Sequence, residues 1–238
     1  MAVFLVAHGA WSAGWAWRKM RPLMQAAGHE FHVPSYTGLG ERGHLAGRDV
    51  SLETHIRDVE SVLAYEDLRD VVLIGHSYGG IVATGVADRA RERIRHLIYL
   101  DAFVPKDGES LFDMLPEEAR ARMRKGAEET GDDWLIPPNP VPPDTDLADV
   151  AWIMARRMPQ PIATFTAPIR LRNGPLDLPR SYIYCRRFAP GDGFRRFALA
   201  ARQSPAWRCL ELEASHSPQI TAPLALFELL VEIAEGSA

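Results

Sequence analysis

Cysteine is nearly missing from this sequence: Cys185 and Cys209 are the two thiols in 238 residues. Two cysteines cannot frame a disulfide-held fold, and their spacing is not that of a metal site. Both fall in apolar runs that read as buried strands, so reduced core thiols are expected, with a bridge between neighbouring strands left open. Long hydrophobic runs are lacking as well. No stretch approaches the ~18 apolar residues of a membrane span, so no membrane association is expected. The start, MAVFLVAHGAW, has no basic residue and its apolar run ends at His8-Gly9. It is unlike a secretory leader, and a cytoplasmic location is expected. A basic excess is missing too: 27 Lys and Arg stand against 31 Asp and Glu, for a net charge of −4. That balance argues against a nucleic-acid partner. The clusters Arg89 to Arg95 and Arg120 to Lys125 sit among Glu and Ala and read as solvated helix faces. There is no internal repeat, no metal-ligand cluster and no G-x-G-x-x-G after a strand; Gly38-Leu39-Gly40 reads as a turn in a loop. No metal and no cofactor are expected.

What is present is an ordinary globular composition, 47% apolar and 24% charged, enough to bury a large core. Short aliphatic runs alternate with helical patterns. Val3 to Ala7, Phe31 to Val33, Val71 to Gly75, Arg95 to Leu100, Arg180 to Cys185 and Arg208 to Leu212 read as strands. Trp15 to Ala27, Leu52 to Tyr65, Tyr78 to about Ala90 and a closing helix from Pro223 read as helices. The strands are continuous apolar runs, as burial on both faces requires. The pattern predicts an α/β fold with a mainly parallel six-stranded sheet flanked by helices. Residues 104–179 break the rhythm. They hold most of the prolines, three helical patches and many aromatic and Met residues, a content that disordered segments lack. They are expected to form a helical lid inserted after the fourth strand, with residues 1–103 and 180–238 as the core.

The chemistry centres on Gly75-His76-Ser77-Tyr78-Gly79. A strand (VVLI) runs into this G-x-S-x-G and a helix (IVATGVADRA) runs out, which is the context of a nucleophile elbow. The turn is so tight that a Cβ at either flanking glycine would clash, and it holds the Ser77 hydroxyl out above the sheet. Such a hydroxyl needs a base. His216 is the sole histidine after His96 and lies between the last strand and the last helix. Two acids compete for the third place. Asp192, in APGDGF, follows the fifth strand; Asp101 ends the fourth directly (LIYLDAF), and the reading leans to it, with Asp177 a distant third. Oxyanion donors are expected from the backbone N–H of Tyr78 and of Ala10, in the loop after the first strand. His8 is expected to brace that loop. Trp11, Trp134, Trp152 and Met154 are candidates for an apolar substrate pocket, any one of which could equally be lid core.

HGAWSAGWAW resembles the HGAxxGxWxW start of the plant esterase and hydroxynitrile lyase group of α/β-hydrolases. GHSYGG and YLDAFVP fit the same group. PSYTGLGERGHL and THIRDVESVLAYEDLRDVVLIGHSYGG look closer to its bacterial relatives. The resemblance implies the α/β-hydrolase fold and a serine esterase acting on a small to medium, partly apolar ester through an acyl-enzyme. Lyases of the group carry a threonine and a lysine where this sequence has Gly9 and Ser217, so lyase activity is not expected. A lyase or cofactor-free oxygenase on the same scaffold, and a small-molecule receptor with a vestigial site, are the alternatives. A homodimer through an edge strand or the lid is a common assembly for such a scaffold.

Overall fold

The computed structural model describes residues 1–187 and 192–236. The first apolar run forms β1 (Val3–Ala7). The stretch expected as one helix from Trp15 to Ala27 divides into a 3-10 turn over Gly14–Trp17 and α1 (Met20–Ala26). Pro22 is the physical reason. It has no N–H to return to the Arg18 carbonyl, so it is accepted only in the first turn of a helix that starts afresh. After β2 (Glu30–His32), α2 (Leu52–Tyr65) opens on a capping box between Ser51 and Thr54. It buries Ile56, Val59 and Leu63 on one face, the helical spacing read in the sequence. Then come β3 (Val71–His76), buried throughout, α3 (Gly79–Arg89) and β4 (Ile94–Leu100).

The insertion holds α4 (Glu117–Thr130), β5 (Leu135–Ile136), α5 (Leu147–Met154), β6 (Gln160–Pro161) and α6 (Ala163–Thr166). β5 and β6 pair antiparallel. The chain returns through β7 (Arg180–Cys185), α7 (Arg195–Arg202), β8 (Trp207–Leu212), α8 (Pro218–Thr221) and α9 (Pro223–Glu235).

Six strands form one sheet in the order β2-β1-β3-β4-β7-β8, and every neighbouring pair is parallel. Leu5, Leu73, Leu97 and Tyr99 face one core with α2 and α3. Phe4, Ile74, Ile98 and Ile183 face the other, with α1 and α9. Burial on both faces is why β1 and β3 read as unbroken apolar runs, whereas the edge strands β2 and β8 are only partly buried. The insertion is anchored to both cores. Met123, Ile136 and Phe165 are buried in the first. On the other side Asp149 of α5 pairs with Lys19 at 2.6 Å, and Lys19 also donates to the Ile220 carbonyl.

Cys185 and Cys209 are both free thiols. β7 and β8 pair Tyr182 with Cys209 and Cys185 with Leu212, so the two cysteines are out of register and on opposite faces, and cannot be bridged. Cys185 is buried, whereas Cys209 is only partly so.

The strand order fixes where a site can form. β1 leads outward to β2 on one side, and β3 leads to β4 on the other. Between the C-terminal ends of β1 and β3 the two connections diverge, leaving a crevice at this switch point. The loop after β1 and the turn after β3 both open into it.

Candidate active site

Ser77 follows β3 with φ of 56°, a left-handed conformation that non-glycine residues rarely adopt. The strain is held by the neighbours. Ser77 N–H donates to the Leu100 carbonyl, and the Ser77 carbonyl accepts from the N–H groups of Gly80 and Phe103. The helix that follows runs hard against β1: a Cβ on Gly79 would lie 1.9 Å from the Ala7 carbonyl oxygen. Only glycine permits this approach, and it brings the loop after β1 onto the elbow. A Cβ on Gly9 would lie 3.3 Å from Ser77 Cβ and 3.0 Å from His76 Nδ1.

His216 lies in the turn between β8 and α8. Its Nε2 is 2.9 Å from Ser77 Oγ, and its Nδ1 is 2.7 Å from Asp101 Oδ2. The carboxylate requires the proton on Nδ1, which leaves Nε2 as acceptor for the serine hydroxyl. Asp101 ends β4, is 4% exposed, and also has positive φ (42°). Its other oxygen accepts the Cys185 N–H at 3.2 Å. Two anchors thus fix the carboxylate, one on β7 and one on the imidazole. The ring of Phe194 stacks on His216 at 4.7 Å, nearly parallel. From behind, His76 Nε2–H donates to the His216 carbonyl at 2.7 Å.

Asp192 is not part of this row. Its carboxylate accepts the Tyr184 hydroxyl at 2.5 Å and the N–H groups of Phe194 and Arg195. It caps the start of α7, and so holds the loop that carries Phe194. Of the two carboxylates expected as the acid, the structure brings Asp101 to His216 and turns Asp192 to Tyr184 and its own loop.

The lid residues expected to line a pocket divide. Met154 is 60% exposed. Trp152 packs edge-on against Trp15 at 5.0 Å and under the Arg18 guanidinium at 3.9 Å, on the α1 side of the molecule. The first side chain faces solvent and the second fastens the insertion to the core. Trp134 is partly buried beneath Arg48. Trp11 lies beside the elbow, with φ of 56° and 6% exposure. Its ring packs on Phe165 at 5.5 Å, and Phe165 packs on Tyr78 at 5.7 Å.

A neutral aromatic stack braces the crevice from below. Tyr36 is sandwiched between His8 at 3.8 Å and His55 at 4.5 Å. His55 donates from Nε2 to the Thr37 carbonyl and accepts the Tyr78 hydroxyl on Nδ1. Burial lowers His8 to about 4 and both His55 and His76 to about 3, because an imidazolium there would lose its hydration. These histidines are neutral at physiological pH and structural in kind, as expected for His8. Sequence reasoning missed Phe194, Phe165 and Gln160 as neighbours of the site. None sits in a motif; the approach of Phe165 and Gln160 depends on how the insertion folds back, and that of Phe194 on the loop between β7 and α7. Among the described residues no three His, Cys, Asp or Glu are grouped to hold a metal, and no helix is long and apolar enough to cross a membrane.

A strained serine at a strand-to-helix turn, a histidine after the last strand and a carboxylate ending a strand, on a doubly wound sheet, define a hydrolase of the α/β type. The chain belongs to the alpha/beta hydrolase family, whose model matches residues 3–229. It is 40% identical to the carbendazim hydrolyzing esterase of Nocardioides sp. (strain SG-4G), over 98% of this chain and all of that one. It is 26% identical to methylesterase 9 of Arabidopsis thaliana, over 99% of each chain. An extracellular alpha/beta-hydrolase from a Paenibacillus species shares the fold, with a TM-score of 0.85 at 24% identity over 98% of each chain.

Proposed function

We propose that this protein hydrolyses small to medium, partly apolar carboxylic esters by acyl transfer to Ser77. The observation that carries the reading is the continuous row from Asp101 through His216 to Ser77 Oγ, at 2.7 and 2.9 Å. His216 Nε2 takes the hydroxyl proton as Ser77 attacks the ester carbonyl. Asp101 holds the tautomer and stabilises the imidazolium as it forms. The Ala10 and Tyr78 N–H groups, brought together by the approach of the β1 loop to the elbow, hold the oxyanion. The alcohol leaves with the proton from His216, and water, deprotonated by the same nitrogen, releases the acid. Residues 104–179 act as the lid, and Trp11, packed on Phe165 of that segment, stands at its inner side. The carbendazim-hydrolysing relative makes carbendazim itself a substrate to try. A homodimer, a cytoplasmic location and the lack of a nucleic-acid partner complete the reading, the last supported by the net charge of −4.

The test is initial rates on p-nitrophenyl esters of rising acyl length, and on carbendazim, with wild type beside Ser77→Ala. Turnover by the wild type alone is expected. Equal turnover by Ser77→Ala would overturn the mechanism.

A further inference from the structure

Gln160 is fully buried, 149 residues away in sequence from the loop it touches, and both ends of its amide are used. Its Oε1 accepts the Trp11 N–H at 2.8 Å. Its Nε2 donates to Thr164 Oγ1 at 2.8 Å, and Thr164 in turn donates to the Pro161 carbonyl at 2.7 Å. The Trp11 indole is fixed separately, by Nε1–H donating to the Ile136 carbonyl at 2.9 Å. One short segment of the insertion therefore grips the residue next to Ala10. The same segment reaches Tyr78. Phe165 wedges between the rings of Trp11 and Tyr78, and Thr164 neighbours the Tyr78 phenol.

Trp11 needs this grip. Its φ of 56° is a conformation that a large side chain adopts only when its surroundings impose it. If that backbone relaxes, the peptide between Ala10 and Trp11 turns and shifts the Ala10 Cα, and the Ala10 N–H, which lies in the preceding Gly9–Ala10 peptide, is displaced through that atom. Oxyanion stabilisation depends on donors already aimed at the developing charge, so a small reorientation removes much of its value.

We infer that Gln160, with Thr164 and Phe165, is a positioning element that sets the Ala10 donor of the oxyanion site, so that the insertion is part of the catalytic scaffold and not only a cover over it. The inference rests on the serine-esterase reading above. An amide is the side chain suited to the position. It offers an acceptor to Trp11 and a donor to Thr164 without burying a charge.

The test compares wild type with Gln160→Met, which keeps the shape and removes both polar groups, and with Thr164→Val, which removes only the receiving hydroxyl. Circular dichroism and thermal melts establish that each variant is folded. Kinetics are read on the best p-nitrophenyl ester, and affinity on a trifluoromethyl ketone that forms a tetrahedral adduct. For Gln160→Met, kcat is expected to fall on the order of 10- to 100-fold while KM changes by less than about threefold. The inhibition constant of the ketone is expected to rise by a similar factor, because it mimics the state the donors serve. Thr164→Val is expected to show the same signature, smaller. A raised KM with unchanged kcat and unchanged ketone affinity, in either folded variant, would overturn the inference and make the segment a pocket wall. Failure of the serine-esterase reading is recognised separately, as turnover that survives Ser77→Ala.

Discussion

Asp101 and His216 meet at 2.7 Å although 115 residues separate them in the chain. The carboxylate stands at the end of β4 in a left-handed conformation and is held on its other oxygen by the amide that ends β7. Asp192, where a carboxylate after the fifth strand of the sheet was the competing choice, is turned to Tyr184 and the start of α7.

The two aspartates therefore respond differently to amidation. Asp101→Asn is expected to reduce kcat by about 10³- to 10⁴-fold, since an amide in that place favours the wrong tautomer of His216. Asp192→Asn is expected to cost less than about tenfold in kcat and to act mainly through stability, as a weakened cap. Steady-state kinetics and thermal melts of both variants decide the matter. A larger rate loss in Asp192→Asn would reverse the assignment.

Ser77 shows the conflict between stability and chemistry. Its φ of 56° suits glycine and strains any residue with a Cβ. Ser77→Gly is expected to abolish turnover and to raise the unfolding free energy by about 1 kcal/mol. Chemical denaturation of the variant beside wild type and Ser77→Ala measures this, and a Gly variant no more stable than the Ala variant would show that the turn carries no such strain.

Gly9 separates this site from a lyase-like one. A Cβ there would stand 3.0 Å from His76 Nδ1 and 3.3 Å from Ser77 Cβ. Gly9→Thr is expected to displace His76, and with it the His216 carbonyl that His76 holds. A loss of ester turnover of about 100-fold or more follows from a misplacement of that size, without any gain of cyanohydrin cleavage, because Ser217 stands where a lysine would be needed. Full esterase activity in Gly9→Thr would show that the loop has room the structure does not give it.

Acid stability follows from the three neutral histidines. His8, His55 and His76 are held at about 4, 3 and 3 by burial, below their unfolded value of 6.5. Between those values the unfolded chain binds protons that the folded chain does not. Folding is therefore favoured above about pH 6.5 and loses stability as the pH falls through that range towards 4, these three groups together contributing up to about 4 kcal/mol per pH unit, to which His96, also lowered to about 4 by burial, adds. Urea midpoints at about pH 7.5, 6.5 and 5.5 read the effect, and His55→Gln, which keeps an acceptor for Tyr78, is expected to lower the slope by one proton. Stability that is flat from about pH 7.5 to 5.5 would contradict this account.

The order of strands and helices was legible in the chain because burial on both faces of a parallel sheet writes continuous apolar runs, and because α2 carries its own cap and helical spacing. The G-H-S-Y-G turn was legible for a local reason: its glycines answer to atoms a few residues away and to the strand beside it. His216 could be singled out because no other histidine follows His96. The choice between Asp101 and Asp192 could not be made this way. Both follow strands, and a hydrogen bond is decided by a few tenths of an ångström that spacing does not encode. The insertion and the loop before α7 hid most. Which face of Trp152 turns to the core, which side of Phe194 covers the imidazole and which backbone amide Gln160 meets all depend on non-local packing, where no period in the sequence marks the partner. Local sequence determined the strands, the elbow and the histidine; only tertiary structure decided which carboxylate completes the row and what steadies the loop opposite it, since those contacts join segments more than a hundred residues apart.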